Sequence, residues 1–306
     1  MKRWWIRPLV RLFAALALPL AVPAVITLFI WALPGDPASI ICPPQICSGT
    51  AALAAKWHLD QGPWYFYSNW VSGALQGDFG NSWRMQTGFP VAELLADSVP
   101  RTAALVALAF IPLLLGAVGS ATRIIPKQVD GVLSAVGLIP AVVLSLLAAA
   151  WVTLTYGAMA FDPEAMQVKL LLGALVLGLA DAALSGAVVG VRGITESERT
   201  QRYVQMAILR GEGDLSNALP NILPALAGQM RARLLGLLSG AVIVEVIIRI
   251  DGLGDLIWQG TLTQDFAVVL AAAFGFALLS SLMLVLQAAV EVGVALHVRK
   301  SPRVMV

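Results

Sequence analysis

TESERTQRYVQMAILRGEGDLSNALPNILP, residues 195–224, is the longest polar interval on the side of the chain where positive charge collects, and apolar segments flank it. Thr195 followed by Glu198 has the spacing of a capping box, in which hydroxyl and carboxylate each take one orphan backbone N–H. Glu196 and Glu198 then stand at the positive end of the helix that follows, and Arg210 at its negative end. Gly211 and Gly213 stop that helix, because glycine enters left-handed backbone without a Cβ penalty. Asp214 caps a second, very short helix, which Pro220 ends for want of a backbone donor. The stretch predicts a helix, a sharp corner, a helical stub and a proline, on which a soluble partner could push.

Composition sets the surroundings of that corner. Of 306 residues 58% are hydrophobic and 12% charged, with a mean hydropathy of +0.82. Soluble domains carry about twice that share of charge, so the chain reads as membrane-embedded and all-helical. Apolar runs near the roughly 20 residues that cross a bilayer recur at 12–33, 102–122, 131–156, 170–191, 234–250 and 266–290, the fourth interrupted by Asp181 and the fifth carrying Glu245 and Arg249. Pro19, Pro23, Pro112 and Pro140 lie inside them and are tolerated where neighbours re-satisfy the freed carbonyls. The basic N-terminus and the long first run fit an uncleaved span better than a signal peptide with its shorter apolar core.

Lys and Arg orient the six expected spans. Lys2, Arg3, Arg7 and Arg11 precede the first, and Arg123 and Lys127 separate the second from the third. Arg192, Arg199, Arg202, Arg210, Arg231 and Arg233 lie between the fourth and fifth, and Arg299, Lys300 and Arg303 follow the last. The opposite loops hold Lys56, Arg84, Arg101, Lys169 and Arg249. Both termini and the 195–224 corner are therefore expected in the cytoplasm. Residues 1–33 would form the N-terminus and first span, 34–100 a periplasmic region, 101–298 a five-helix core with its cytoplasmic loop at 192–233, and 299–306 a tail.

Nothing in the chain supplies nucleotide chemistry. A Walker A loop needs Gly-x-x-x-x-Gly-Lys-Ser/Thr, and Lys300-Ser301 lacks the glycines. There is no HExxH, and His58 and His297 are too few for a histidine-based metal site. No catalytic residue and no bound metal are expected.

Several ordered motifs converge on one family. Ala207, Gly211, Leu223 and Pro224 hold the Ala, Gly, Leu and Pro places of a Glu-Ala-Ala, three residues, Gly, nine residues, Ile-x-Leu-Pro pattern, with departures at Gln205, Met206 and Asn221. The loop after the first span carries Pro34-Gly35-Asp36-Pro37, Leu59-Asp60-Gln61 with Pro63 displaced by Gly62, Trp70, and Gly77-Asp78-Phe79-Gly80-Asn81-Ser82. Pro90-Val91 and Pro100-x-Thr102 continue in register, and Glu245, Gly252-Leu253-Gly254 and Asp265-Phe266 follow, with Asp251 and Ala267 where prolines belong. On these residues the chain resembles the dipeptide, oligopeptide and nickel branch of ABC importer permeases, and 195–224 resembles their cytoplasmic EAA loop.

The resemblance implies the six-span type I permease fold (MetI-like), a second permease subunit, two cytoplasmic ATPase subunits that use ATP and Mg, and a periplasmic solute-binding protein. Nucleic acid is not among the partners. It places ATPase coupling on Ala207, Gly211, Glu212, Gly213, Asp214, Leu215, Ser216, Asn217, Leu223 and Pro224, with the stub 212–221 as the coupling helix. The interval from Gly211 to Pro224 is shorter than in that branch. Peptides are the expected cargo. Nickel or a metal chelate is the alternative within the same fold, and a scaffold or channel without ATP coupling is the alternative outside it.

Other polar residues keep two readings each. Asp181, inside the fourth span, suits either a substrate path or a structural hydrogen-bond acceptor. Glu245 and Arg249 are one helical turn apart and fit an ion pair or an outer gate. Asp130 reads as a helix cap, and Glu291 and His297 as interfacial. Trp57, Trp64, Tyr65, Tyr67 and Trp70 anchor the outer loop at the headgroups or help dock the binding protein. Cys42 and Cys47 are expected to close a small disulfide loop in an oxidising compartment, with free or metal-bound thiols as the alternative. Glycines 116, 119, 173, 178, 186 and 190 allow close helix approach, within the chain or toward a second permease.

Overall fold

The long apolar runs are helical, two of them broken at 137–140 and at 180–182, because a chain without water around it must satisfy its backbone internally. The computed structural model describes residues 6–41, 50–157 and 163–300. In order these form α1 (Ile6–Ala32), α2 (Pro37–Ile41), α3 (Thr50–Lys56), a 3₁₀ turn at Leu59–Gln61, α4 (Pro63–Ala74), α5 (Val91–Ala121) and α6 (Gln128–Val136). There follow α7 (Ala141–Tyr156), α8 (Pro163–Leu179), α9 (Ala183–Arg199), α10 (Arg202–Leu209), α11 (Asp214–Ile248), α12 (Leu253–Leu262) and α13 (Phe266–Lys300). Among the described residues there is one antiparallel bridge, Asn81 to Pro90, and no strand.

Three of these helices, α1, α5 and α13, are long and apolar enough to cross a membrane unaided. The third and fourth expected spans are bent pairs: α6 and α7 meet at 71°, and α8 and α9 at 44°. Counting each pair as one span gives five. The remaining expected span, 234–250, is the C-terminal half of α11, whose apolar run is preceded by Arg231 and Arg233 and interrupted by Glu245.

The chain divides into two compact units. The first comprises Met1–Ala15, Ala103–Ile250 and Leu282–Val306. Here α11 packs along α7, α8 and α9, burying Val188, Leu237, Ala241 and Val244. Small residues set the spacing. A Cβ on Gly116 would come within 2.9 Å of Val188, and one on Gly190 within 2.2 Å of the Gln229 amide. These glycines serve packing inside the chain.

The second unit comprises Leu16–Thr102 and Asp251–Ser281. Its core joins Leu59, Phe66, Trp83, Val91 and Leu95 to Leu253, Leu256, Val268 and Leu270. Trp57 stacks on Trp83 at 4.0 Å, and Trp70 packs edge-on to Phe274. These two tryptophans belong to the core, whereas Trp64 and Tyr65 are exposed at 74% and 46%. Tyr67 donates its hydroxyl to the Leu20 carbonyl at 2.6 Å.

Candidate functional site

The corner after α9 departs from its sequence expectation in four respects, each because tertiary packing overrides a local signal. Thr195 does not start a helix: α9 runs through it to Arg199, and its hydroxyl, fully buried, donates to the Val191 and Arg192 carbonyls at 3.0 Å. The chain breaks instead at Thr200 and Gln201, and Gln205 donates its amide to the Arg199 carbonyl at 2.8 Å, closing the end of α9. Gly213, in extended backbone, holds the N-cap position, so Asp214 is the first residue of α11 rather than its cap. Pro220 ends nothing. Both Pro220 and Pro224 lie inside α11, each deleting one rung of a helix that continues to Ile248.

Gly211 behaves as its sequence position requires. Its φ of +79° is left-handed. Its N–H reaches the Ile208 carbonyl at 2.9 Å while that of Glu212 reaches Ala207 at 3.0 Å, the paired bonds of a Schellman close. On α10, Val204 and Ala207 point inward and are buried, while Tyr203, Met206, Ile208 and Leu209 are exposed at 41%, 59%, 44% and 81%. The residues from Gly211 to Gly213 are exposed; Leu215, Asn217, Leu223 and Pro224 are partly buried, and Ser216 is exposed. Sequence reading placed the projection on 212–221 and passed over Tyr203, Met206 and Leu209. The signal was present: two buried small or branched residues three apart in a short apolar helix with glycine at its end.

Two arginines on α9 fix the corner. Arg192 grips Asp130 with Nε to Oδ2 at 2.8 Å and Nη2 to Oδ1 at 2.9 Å, and also donates to the Ile125 carbonyl at 3.0 Å. Asp130 is thus an ion-pair partner and not a helix cap. Arg199 donates to the Ala121 carbonyl at 2.8 Å and lies 2.9 Å from Asp214 Oδ2. Both guanidinium side chains are under 10% exposed, and arginine's fixed fork suits such bidentate burial. Further out, Lys127 pairs with Glu196 at 2.9 Å and holds its carboxyl below the usual carboxylate range. Tyr203 donates to Glu198 at 2.5 Å; burial, and then that bond, push its phenol above the ordinary value.

Asp181 is not mid-helix. It and Ala182 adopt left-handed φ of 49° and 57° in the break between α8 and α9. The Ala182 N–H reaches the Gly137 carbonyl at 2.8 Å and the Asp181 N–H reaches Ile139 at 3.3 Å, so this break interlocks with the one between α6 and α7. The Asp181 carboxylate is exposed and accepts weakly, at 3.4 Å, from the Ala141 N–H that opens α7. Glu245 is fully buried, whereas Arg249 is exposed with φ 60° beyond the end of α11. Lys169, buried, donates to the Arg249 carbonyl at 3.2 Å. Glu291, expected at the interface, is paired with Arg11.

In the second unit two of the quoted motifs meet. Asp265, fully buried, accepts through Oδ2 from the Ser82 hydroxyl at 2.6 Å and from the N–H groups of Trp83, Arg84 and Met85 at 2.8, 3.0 and 3.1 Å. Successive amides converging on one carboxylate make an anion nest. Cys42 and Cys47 lie outside the described residues.

Residues 107–295 match the family described as binding-protein-dependent transport system inner membrane component. Among curated proteins, the chain is 27% identical over 280 residues to the glutathione transport system permease protein GsiC of Salmonella choleraesuis strain SC-B67, covering 88% of this chain and 90% of that protein. The GsiC of Escherichia coli strain K12 is 26% identical over 271 residues, covering 84% and 87%.

Proposed function

We propose that this chain, which belongs to the binding-protein-dependent transport system inner membrane component family, is the permease half of an ATP-driven importer whose cargo is peptide-like. It pairs with a second permease, receives solute from a periplasmic binding protein, and is driven by two cytoplasmic ATPase subunits that hold ATP and Mg. The chain itself takes no part in hydrolysis. The arginine-rich loops put both termini and the α9–α10–α11 corner in the cytoplasm.

One observation carries the coupling role: α10 holds Tyr203, Met206 and Leu209 out of a charged corner while its other face is buried. Exposed apolar side chains rimmed by polar ones mark a protein contact. We therefore assign the ATPase contact to α10, with Ala207 and Gly211 shaping it and 212–224 behind it. Movement of that contact is passed on through Arg199 and Asp214 to α11, a rigid-body route to alternating access. The cargo class rests on the relatives, which are named for glutathione transport.

The test uses the assembled complex in proteoliposomes. Leu209→Asp and Met206→Asp are expected to abolish co-purification of the ATPase subunits and ATP-dependent uptake of glutathione or dialanine. Retention of both in either variant would refute the coupling role. Uptake of labelled nickel that peptides fail to compete would refute the cargo class.

A further inference from the structure

We infer that Tyr203 is a positioning residue whose hydroxyl hands displacement of α10 directly to α11, by way of Asn221. The inference rests on the coupling reading above and names the side chains that carry it inward. Arg199 and Asp214 join the end of α9 to the start of α11, and neither belongs to α10. Tyr203 does. Its hydroxyl donates to Glu198 Oε1 on α9 at 2.5 Å and accepts from the Asn221 amide on α11 at 2.8 Å. Among the described residues, the bond from Asn221 is the one side-chain hydrogen bond between α10 and α11.

The chemistry fixes the direction of both bonds. A hydroxyl has a single proton, and a carboxylate takes it in a charge-assisted bond stronger than a neutral one. With that proton committed to Glu198, the phenol offers α11 only acceptor capacity, and the Asn221 amide supplies the N–H. The ring itself is 41% exposed, so one side chain presents its face outward and its oxygen to the bundle. Asn221 lies between Pro220 and Pro224, where α11 lacks two backbone rungs and a helix bends most readily. Gln205 holds the same helix to the Arg199 carbonyl at 2.8 Å. Gln205 and Asn221 are two of the three departures from the Glu-Ala-Ala…Ile-x-Leu-Pro pattern. Each supplies a side-chain amide that ties α10 to a neighbour, and isoleucine at 221 would have no donor for Tyr203.

The complete complex, with its own binding protein, is reconstituted in proteoliposomes, and labelled glutathione imported is measured per ATP hydrolysed. That ratio isolates transmission, because loss of ATPase subunits lowers both quantities together. Asn221→Ile is expected to lower the ratio about fivefold, the value of one neutral hydrogen bond, and Tyr203→Phe at least as much. The double variant should fall no further than Tyr203→Phe alone, since both changes remove the same bond. Glu198→Gln keeps an acceptor for the phenol and should retain most of the wild-type ratio. Losses that multiply in the double variant, or a wild-type ratio in either single variant, would overturn the role of Tyr203 while leaving the transport reading in place. A wild-type complex that hydrolyses ATP and imports no glutathione would overturn the transport reading, and the role of Tyr203 with it.

Discussion

Arg199 Nε stands 2.9 Å from Asp214 Oδ2, so the last residue of the helix entering the corner is tied to the first residue of the helix leaving it. The same guanidinium caps α5 at Ala121. Three helices therefore meet on one side chain, and α10 is suspended between two of its ties.

Arg199→Met should destabilise the chain by about 2 kcal/mol. Breaking a buried pair costs more, but the Asp214 side chain is a third exposed and water compensates part of the loss. Arg199→Lys should fall between, since a lysine cannot serve both Asp214 and Ala121 from a fork. Scanning fluorimetry of the purified protein measures the order. A methionine variant as stable as wild type would show that the tie is decorative.

Asp265→Ala should be the most damaging single change in the second unit. It strips the acceptor from the Ser82 hydroxyl and from three backbone donors at once. Each buried donor left unsatisfied costs about 1–3 kcal/mol. Hydrogen exchange at residues 82–85 should accelerate by orders of magnitude, with Asp265→Asn intermediate. Unchanged protection there would contradict the nest.

At Gly211 the expected penalty is torsional, because its φ of +79° is unfavourable to other residues while no atom lies within 4 Å of an added Cβ. Gly211→Ala should cost about 1 kcal/mol, Gly211→Asn less, and Gly211→Val more, since a β-branched side chain tolerates left-handed backbone worst. Thermal midpoints in the order Gly, Asn, Ala, Val check this; any other order points to a steric contact instead.

The Lys127–Glu196 pair makes a pH prediction with a fixed sign. The folded protein holds the Glu196 carboxyl below its ordinary value of 4.5. Its contribution is then complete above that value and is lost as pH falls through the lower, folded one. Lys127→Met should lower the thermal midpoint by a constant small amount at neutral pH. The difference from wild type should shrink under acid, below pH 4.5. A difference that grows on acidification would reverse the assignment.

Much of this protein was legible in its chain. The apolar runs required helices because a bilayer supplies no partners for a bare backbone. Gly211 announced a left-handed close because other residues resist that conformation, and the ordered loop motifs identified the permease family. What lay outside its reach was every relationship between distant residues. Ser82 and Asp265 are separated by 183 positions, and nothing local in either predicts the other. The local signals that failed, at Thr195, Asp214 and Pro220, did so for one reason. A capping hydroxyl or a missing N–H is worth about 1–3 kcal/mol, and burying the faces of α9 and α11 against each other outweighs it. Tertiary packing decided where α9 and α11 begin and end, and with them which residues face a partner and which charges face each other.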